Sequence, residues 1–305
     1  MNKVLPSTRL NDRIWLIENR NTETRNPKNM NSSPNRGAME LGKQSKYEST
    51  YNPEKLFAIP RTIKREEIGI TGPLPFFGVD VWNHYELSWL TPRGVPRVAI
   101  ATIVVPCASP NVIESKSMKL YFNTFNNTSF ETPADVERIA AQDLSRCAGA
   151  PVSVTLEPLE RAAARHIGTP AGTSIDEQDI AIDAFDVDRR LLATHDEQVR
   201  ETLYSNLLKS NCLVTGQPDW GTVSIAYEGR RIDREALLRY VVSFRNHEEF
   251  HEQCVERIFK DIQQRCAPAR LTVAARYTRR GGIDINPVRS SEPLHDVPNL
   301  RLIRQ

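Results

Sequence analysis

A lone cysteine followed by an aspartate is the clearest candidate for chemistry in this sequence. Cys212 lies in a polar stretch after an apolar run with helix-like spacing, and Asp219 follows seven positions later between Pro218 and Trp220. A cysteine becomes a strong nucleophile where its surroundings favour the thiolate, and a nearby carboxyl group can move the protons that its attack requires. The alternative is simple core packing, because free cysteines are among the most buried residues in proteins.

A second stretch, residues 113–121, carries residue types that bind phosphate groups. It holds two serines and two lysines, and helical spacing would place Lys116 and Lys119 on the same face. Backbone N–H groups and the helix dipole both favour an anion at the start of a helix. The sequence therefore predicts either a phosphate site here or a solvated helix start with a capping serine.

A third stretch, residues 277–283, places Arg279 and Arg280 beside Gly281 and Gly282. Glycine lets a backbone come close to an anion, and a guanidinium group can bind the same anion. The alternative is a basic turn between two strands. Because the chain has no Gly-x-Gly-x-x-Gly or Walker string, we expect that a bound dinucleotide would not lie in a Rossmann crevice.

Histidines and glutamates supply two further candidates. The segment from His247 to His251 matches the H-E-x-x-H string of zinc metalloproteases, in which both histidines share a helical face and Glu248 would be the general base. The alternative is the polar start of an amphipathic helix. Glu114 and Glu252 form the other pair, because a carboxylate can accept hydrogen bonds from the adjacent N–H and amine donors of a guanine-like base.

Length and composition limit the classes of protein to which the chain can belong. Its 305 residues suit one large domain or two ordinary ones, and 40 basic and 38 acidic residues leave a net charge of only +2. This balance gives no general case for binding nucleic acid or a membrane. The N-terminus lacks an apolar signal core and the apolar run at 98–105 is too short to span a bilayer, so we expect a cytoplasmic protein. Five scattered cysteines without a C-x-x-C pair argue against a disulfide framework or a cysteine-rich zinc site.

The elements that must position these residues follow one order in both halves of the chain. Residues 1–40 are polar and lack an apolar period, so we expect a disordered extension there. In the first half we predict strands at 80–89 and 98–105 as a hairpin, helices at 114–123 and 132–148, and strands at 152–156 and 180–185.

The second half begins with a predicted helix at 195–208. It continues with strands around 212–215 and 222–227, a helix capped by Asp233, a helix at 248–266, and strands at 271–277 and 283–285. After the leading helix, strands and helices recur in the order of the first half, although no repeat is visible residue by residue. Such an order favours an α+β fold over a doubly wound sheet.

Taken together, four of these strings resemble a known family, the NADPH-dependent 7-cyano-7-deazaguanine reductases in their long, two-module form. These are the nitrile reductases of queuosine biosynthesis. The matching strings are residues 114–121, 210–212 with 217–220, 250–254 and 277–282, and the resemblance runs from about Leu41 to Gln305.

The resemblance implies two tandem tunnelling-fold modules, as in GTP cyclohydrolase I, with antiparallel sheets and helices on one face. The first module would span residues 41–190 and carry the Glu-Ser-Lys-Ser motif, and the second would span residues 191–305 and carry the cysteine. It further implies a homodimer and no metal, and the charge balance leads us to expect no nucleic acid or membrane as a partner.

The resemblance also implies a role for each catalytic residue. Cys212 would add to the nitrile carbon and form a covalent thioimidate, while Asp219 would protonate the nitrile nitrogen and help to deprotonate the thiol. His251 would lie beside the reacting carbon. Two equivalents of NADPH would then reduce the thioimidate, through an imine, to 7-aminomethyl-7-deazaguanine, as part of tRNA modification.

The binding residues follow from the same strings. The resemblance assigns the substrate to Ile113, Glu114, Ser115, His251 and Glu252. It assigns NADPH to Ser115, Lys116, Arg280 and Gly281.

Two other hypotheses remain at this point. The first is a hydrolase, either a nitrilase-like enzyme that uses Cys212 or a zinc peptidase that uses His247 and His251. The second is a nucleotide-binding module without catalysis. Reduction of a nitrile, release of ammonia and stoichiometric zinc are the observations that separate these hypotheses.

Overall fold

The computed structural model describes residues 49–163 and 166–305 of the chain. The predicted extension at residues 1–40 and the predicted start of the first module at Leu41 lie outside the described residues. Within them, no helix has the length and apolar character that crossing a bilayer requires.

The described residues form a mixture of helices and strands. The helices are α1 Arg61–Glu67, α2 Ser115–Asn123, α3 Pro133–Ala148, α4 Leu159–Ala162, α5 Arg234–Ser243 and α6 His251–Cys266. The strands are β1 Ala58–Pro60, β2 Phe77–Leu90, β3 Pro96–Pro106, β4 Asn111–Ile113, β5 Ser153–Glu157, β6 Ile167–Gly168, β7 Thr173–Ser174, β8 Thr194–Asn211, β9 Pro218–Ile232, β10 Arg270–Tyr277, β11 Ile283–Ser290 and β12 Arg301–Leu302. Single 3-10 turns lie at Pro53–Lys55, Arg189–Leu191 and Phe244–Asn246.

One eight-stranded sheet contains the long strands, in the order β5-β3-β2-β11-β10-β9-β8-β7. All of its pairs are antiparallel except that of the short β7 with β8. The two halves of the chain meet where β2 pairs with β11, in a register that sets His84 opposite Ile283 and Val81 opposite Asn286. The predicted α+β class with antiparallel pairing is therefore confirmed.

Several local predictions are confirmed, because interactions between residues close in the sequence determine these features. The strands β2 and β3 form the predicted hairpin across a turn at residues 91–95. Thr132 caps α3 in a capping box with Asp135, whose backbone N–H donates to the threonine hydroxyl at 3.2 Å. Asp233 caps α5 by accepting a hydrogen bond from the Ala236 N–H at 2.8 Å.

The helix predicted at 195–208 is wrong, because these residues belong to strand β8. The pairing of β8 with β9 shifts register between Ser205 and Leu208, which is a β-bulge. Leu203 and Ser205 are buried as alternation requires, but the bulge then buries Leu208 and exposes Leu207. Because of the bulge, the apolar residues of β8 do not follow the two-residue period of a strand. Their spacing instead resembles that of a helix.

Three other predicted bounds also need correction. No strand forms at residues 180–185, which lie in an irregular connection between β7 and β8. Residues 212–215 form a turn between β8 and β9 and not a strand. Helix α6 begins at His251, three residues later than predicted.

The structure reveals a repeat that the sequence does not show. The Tyr121 hydroxyl on α2 donates to Asp143 on α3 at 2.8 Å, and the Tyr240 hydroxyl on α5 donates to Asp261 on α6 at 2.7 Å. The backbone carbonyls of both tyrosines also accept a hydrogen bond from a hydroxyl three residues later. The helix pairs α2–α3 and α5–α6 are therefore built alike, although most of their residues differ.

A buried cluster of five charged side chains ties the two halves together. Arg289 on β11 lies 2.8 Å from Asp80 on β2 and 2.9 Å from Glu256 on α6. Arg61 on α1 lies 2.5 Å from Asp80, and Arg65 lies 2.7 Å from Glu256. Because every one of these side chains is almost fully buried, each charge depends on its partners for compensation.

Candidate active site

A small pocket lies between elements of the first and second halves. Eight residues that the sequence predicted for the site line this pocket in a single chain: Ile113, Glu114, Ser115, Cys212, Asp219, His251, Glu252 and Arg280. The other two, Lys116 and Gly281, line a neighbouring groove. The structure therefore brings together residues that lie more than 160 positions apart in the sequence.

Cys212 is positioned by the end of strand β8. Its N–H donates to the Gln217 carbonyl at 2.8 Å, and its own carbonyl accepts from the Gly216 N–H at 2.9 Å. Gly216 has a φ of +65°, which favours glycine. The preceding residue, Asn211, donates its N–H to the His247 carbonyl at 2.7 Å, so the segment that leads into α6 is fixed beside the cysteine.

The surroundings of Cys212 favour its thiolate. Burial alone would raise the pKa of this thiol, but the Thr215 hydroxyl, the N–H groups of Val214 and Thr215, and the charge of Arg280 together hold it below its ordinary value. Among the cysteines, burial raises the pKa of Cys147 and of Cys266 to about 11. The predicted nucleophile is therefore also the most acidic of these three thiols.

Asp219 lies on β9 between two basic side chains. Its Oδ2 is 3.2 Å from Nε2 of His251, and its Oδ1 is 3.3 Å from the guanidinium group of Arg280. Burial would raise the pKa of this carboxyl, but His251, Arg280 and Lys119 outweigh burial and lower it. Asp219 is thus ionised at neutral pH, and it must receive a proton before it can donate one.

His251 is held in place by an aromatic neighbour. Its imidazole stacks on the buried ring of Tyr277, with ring centroids 3.9 Å apart and planes 16° from parallel. Because the stack fixes the plane of the imidazole, the position of its Nε2 near Asp219 is also fixed.

The two glutamates of the pocket differ in the surroundings of their carboxyl groups. Glu114 is the N-cap of α2, and its two carboxylate oxygens accept from the N–H groups of Lys116 at 2.8 Å and Ser117 at 2.7 Å. Burial, with the charge of Asp80, raises the pKa of Glu252 to about 7. A carboxyl with that pKa changes its charge within the physiological range.

The H-E-x-x-H prediction is wrong in its geometry. His247 follows a 3-10 turn in extended conformation and His251 is the first residue of α6, so the two histidines do not lie on one helix. Nε2 of His247 lies 3.3 Å from Glu249, whose carboxylate is bound by Arg257 at 2.6 Å. Within residues 49–163 and 166–305, no group of three or more potential ligands is arranged to hold a metal ion.

An open groove adjoins the pocket, and Lys116, Lys119 and Gly281 contribute to its lining. Burial and the charge of Arg280 lower the pKa of Lys119, while Glu114, Asp219 and Cys212 oppose that shift. Lys119 therefore lies within electrostatic reach of the catalytic residues. The sequence pointed to it only as a neighbour of Lys116, and no signal pointed to Trp82 or Ile285, which form the apolar wall of the pocket.

Comparison with known proteins finds a family match in each half of the chain. Residues 47–156 match the family described as "Nitrile reductase, 7-cyano-7-deazaguanine-reductase N-term", and residues 218–295 match the family described as "QueF-like protein".

Three curated relatives carry the name "NADPH-dependent 7-cyano-7-deazaguanine reductase". The protein of Dechloromonas aromatica is 58% identical over 270 residues, which cover 88% of this chain and 95% of the relative. That of an Azoarcus species is 57% identical, with 84% and 91% covered. That of Legionella pneumophila is 53% identical, with 87% and 94% covered.

The hydroxyl of Thr215 offers a test of the thiolate environment. We expect Thr215→Val to move the midpoint of Cys212 alkylation by iodoacetamide to higher pH, by up to about one unit, because a hydrogen bond to a charged group stabilises it by about 1.5 kcal/mol. Mass spectrometry of peptides would measure alkylation at Cys212 separately from the other cysteines. Thr173→Val, on β7, is the matched control, and an unchanged midpoint in Thr215→Val would contradict the assignment.

Proposed function

The chain belongs to the NADPH-dependent 7-cyano-7-deazaguanine reductases, and we propose that Cys212 captures the nitrile of 7-cyano-7-deazaguanine as the first step of its reduction. The enzyme is an oxidoreductase that uses NADPH. The observation that carries the assignment of Cys212 is its lowered pKa in a pocket that also holds two glutamates able to bind a base.

The first step needs a nucleophile and a proton carrier. The thiolate of Cys212 adds to the nitrile carbon, one C–N π bond opens, and the nitrogen takes a proton to give a thioimidate. Asp219 is ionised in the free pocket, so it first accepts the thiol proton and then passes it to the nitrile nitrogen. Its close contacts with His251 and Arg280 hold the carboxylate in position for both transfers.

The conversion of a nitrile to an amine takes four electrons, which corresponds to two hydrides and two protons. NADPH, when bound, supplies the hydride. Cys212 leaves as a thiolate after the first reduction, because its surroundings stabilise that anion. His251, stacked on Tyr277, covers the reacting carbon and limits hydrolysis of the intermediates.

Glu252 and Glu114 hold the substrate base in this proposal. Glu252 presents a buried carboxylate to the pocket and accepts from the ring N–H and the exocyclic amine of the base. Glu114 already accepts two backbone N–H groups, so it binds the base through the remaining lone pairs of its oxygens. Ile113 and Ser115 flank the base beside Glu114.

The residues proposed for NADPH suit an anionic dinucleotide. Ser115 and Lys116 are the first two residues of α2, and Arg280 lines the same pocket as Ser115, so both positive charges lie near the proposed site. Gly281 has a φ of +59°, and a side chain at this position would press against the stem of Lys119. These four residues therefore hold the cofactor phosphates between the pocket and the groove.

The assembly is also part of the proposal. Two tunnelling-fold modules, residues 41–190 and 191–305, would explain why the tyrosine–aspartate bond recurs on α2–α3 and on α5–α6. A second copy of the chain would pair with the exposed edge of the sheet at β5, because free edges invite pairing. We propose a cytoplasmic homodimer in queuosine biosynthesis, without nucleic acid or membrane as a partner.

The stoichiometry of the reaction tests this function. We expect two NADPH oxidised for each 7-aminomethyl-7-deazaguanine formed, measured by absorbance and by chromatography of the product, and no oxidation above background in Cys212→Ala. Cys147→Ala, which changes a thiol with a raised pKa, is the matched control. A ratio of one to one, or release of ammonia without NADPH, would contradict nitrile reduction.

The raised pKa of Glu252 predicts a pH-dependent affinity. Only the ionised carboxylate accepts both donors of the base, so the affinity should rise with pH up to about 7 and then level off. Below that pKa we expect about a tenfold loss of affinity for each pH unit. Calorimetry on Cys212→Ala would measure binding without the covalent step. The double variant with Glu252→Gln should bind more weakly and lose this pH dependence, and a flat profile with Glu252 intact would refute the role.

A further inference from the structure

We propose that Gln305 is a positioning residue of the catalytic site, because its side-chain amide holds Tyr277, the residue on which the imidazole of His251 stacks. This inference rests on the proposed function, because it takes His251 to act beside the carbon that Cys212 attacks. Gln305 does not line the pocket itself, so its effect on the chemistry passes through Tyr277.

The amide group of Gln305 is buried and has hydrogen-bond partners at both of its ends. The residue is 7% exposed, and its Nε2 donates to the Tyr277 carbonyl at 3.1 Å and to Asn286 Oδ1 at 2.7 Å. Its Oε1 accepts from the Leu302 N–H at 3.0 Å. These partners fix the orientation of the amide, because a backbone N–H can only donate and a backbone carbonyl can only accept.

The hydrogen-bond ladder between β10 and β11 stops before the end of β10. The Ser291 N–H donates to the Leu271 carbonyl at 2.8 Å, and in an antiparallel ladder every second residue from there directs its N–H to the same neighbouring strand. Pro287 occupies such a position and has no N–H, and the pairing of the two strands ends next to it. Beyond that point the amide of Gln305 joins the two strands, because it bonds to one residue of each.

The other side of Tyr277 is fixed by β9, the strand that carries Asp219. Tyr277 pairs with Gly221, and the residue after Tyr277 donates its N–H to the Trp220 carbonyl at 2.8 Å. A side chain at Gly221 would approach the tyrosine ring to 3.1 Å, so the glycine makes room for that ring. Tyr277 is thus held from two sides, by β9 and by Gln305.

The position of the tyrosine ring matters because the contacts that depend on it are close. The rings of Tyr277 and His251 have centroids 3.9 Å apart, and Nε2 of His251 lies 3.2 Å from Asp219, near the outer limit for a hydrogen bond. A shift of about 1 Å would break that contact, and misplacements of this size can cost about a hundredfold in rate. Without the amide of Gln305, the end of β10 would be free to make such a shift.

The rate of adduct formation at Cys212, with saturating 7-cyano-7-deazaguanine and without NADPH, tests this role. We expect Gln305→Met, which keeps the length of the side chain but cannot donate a hydrogen bond, to lower this rate by about tenfold. The affinity for the base, measured by calorimetry in a Cys212→Ala background, should change by less than about twofold, because Glu114 and Glu252 bind the base in the proposed function. Ile303→Ala is the matched control, because Ile303 belongs to the same segment and is 76% exposed.

A double variant separates positioning from a general loss of structure. If Gln305 acts through His251, Gln305→Met should lower the rate by less than about twofold once His251→Ala has removed the imidazole. A full loss in that background would overturn the inference, and so would an unchanged rate in Gln305→Met alone or an equal loss in Ile303→Ala. Should Gln305→Met fail to fold, as judged by circular dichroism, Gln305→Glu decides by the same measurements, because it keeps the shape and the Oε1 acceptor and loses the donors.

The same measurements distinguish a failure of this inference from a failure of the proposed function. The wild-type chain itself shows whether Cys212 captures the nitrile, so absence of its adduct would overturn both. An adduct on the wild-type chain, together with an unchanged rate in the Gln305 variant, would overturn the positioning role alone.

Discussion

The buried cluster around Arg289 is the interaction on which the geometry of the site depends. It joins β11, β2, α1 and α6 through Asp80 and Glu256, at the place where the two halves of the chain share the sheet. Removing one partner of a buried ion pair typically costs about 3–5 kcal/mol, because the other charge is left uncompensated. Glu252 lies one helical turn before Glu256, so the cluster that holds α6 in place also places the carboxyl group in the pocket.

Charges in and around the pocket determine which of its groups are ionised. Arg280 lies near both Cys212 and Asp219 and favours their anionic forms, whereas burial and Asp80 favour the neutral form of Glu252. Carboxyl groups with pKa values shifted in opposite directions can take different roles in one small site. In the proposed function, the pocket thus combines a nucleophile, a proton carrier and a base-binding group, and the residues that would take these roles come from distant parts of the chain.

Short-range signals in the sequence predicted much of the fold, and motifs named the residues that the structure brings together in the pocket and its neighbouring groove. The caps at Thr132 and Asp233 and the β2–β3 hairpin follow from neighbouring residues, so the sequence contains them. Strand β8 was missed because its bulge at residues 205–208 breaks the alternation on which strand prediction depends. The contact of Arg289 with Asp80 joins residues 209 positions apart, and the stack of His251 on Tyr277 depends on how α6 packs on β10. Contacts between residues so far apart leave no pattern in the local sequence from which they could be predicted.

Capture of the nitrile by Cys212 is the central claim, and it can be tested before any reduction takes place. Intact-mass spectrometry of the chain mixed with 7-cyano-7-deazaguanine, without NADPH, measures it most directly. Because addition to a nitrile expels no leaving group, the account predicts one adduct per chain that carries the full mass of the substrate and is absent in Cys212→Ala. Absence of the adduct on the wild-type chain, or its persistence in Cys212→Ala, would contradict the account.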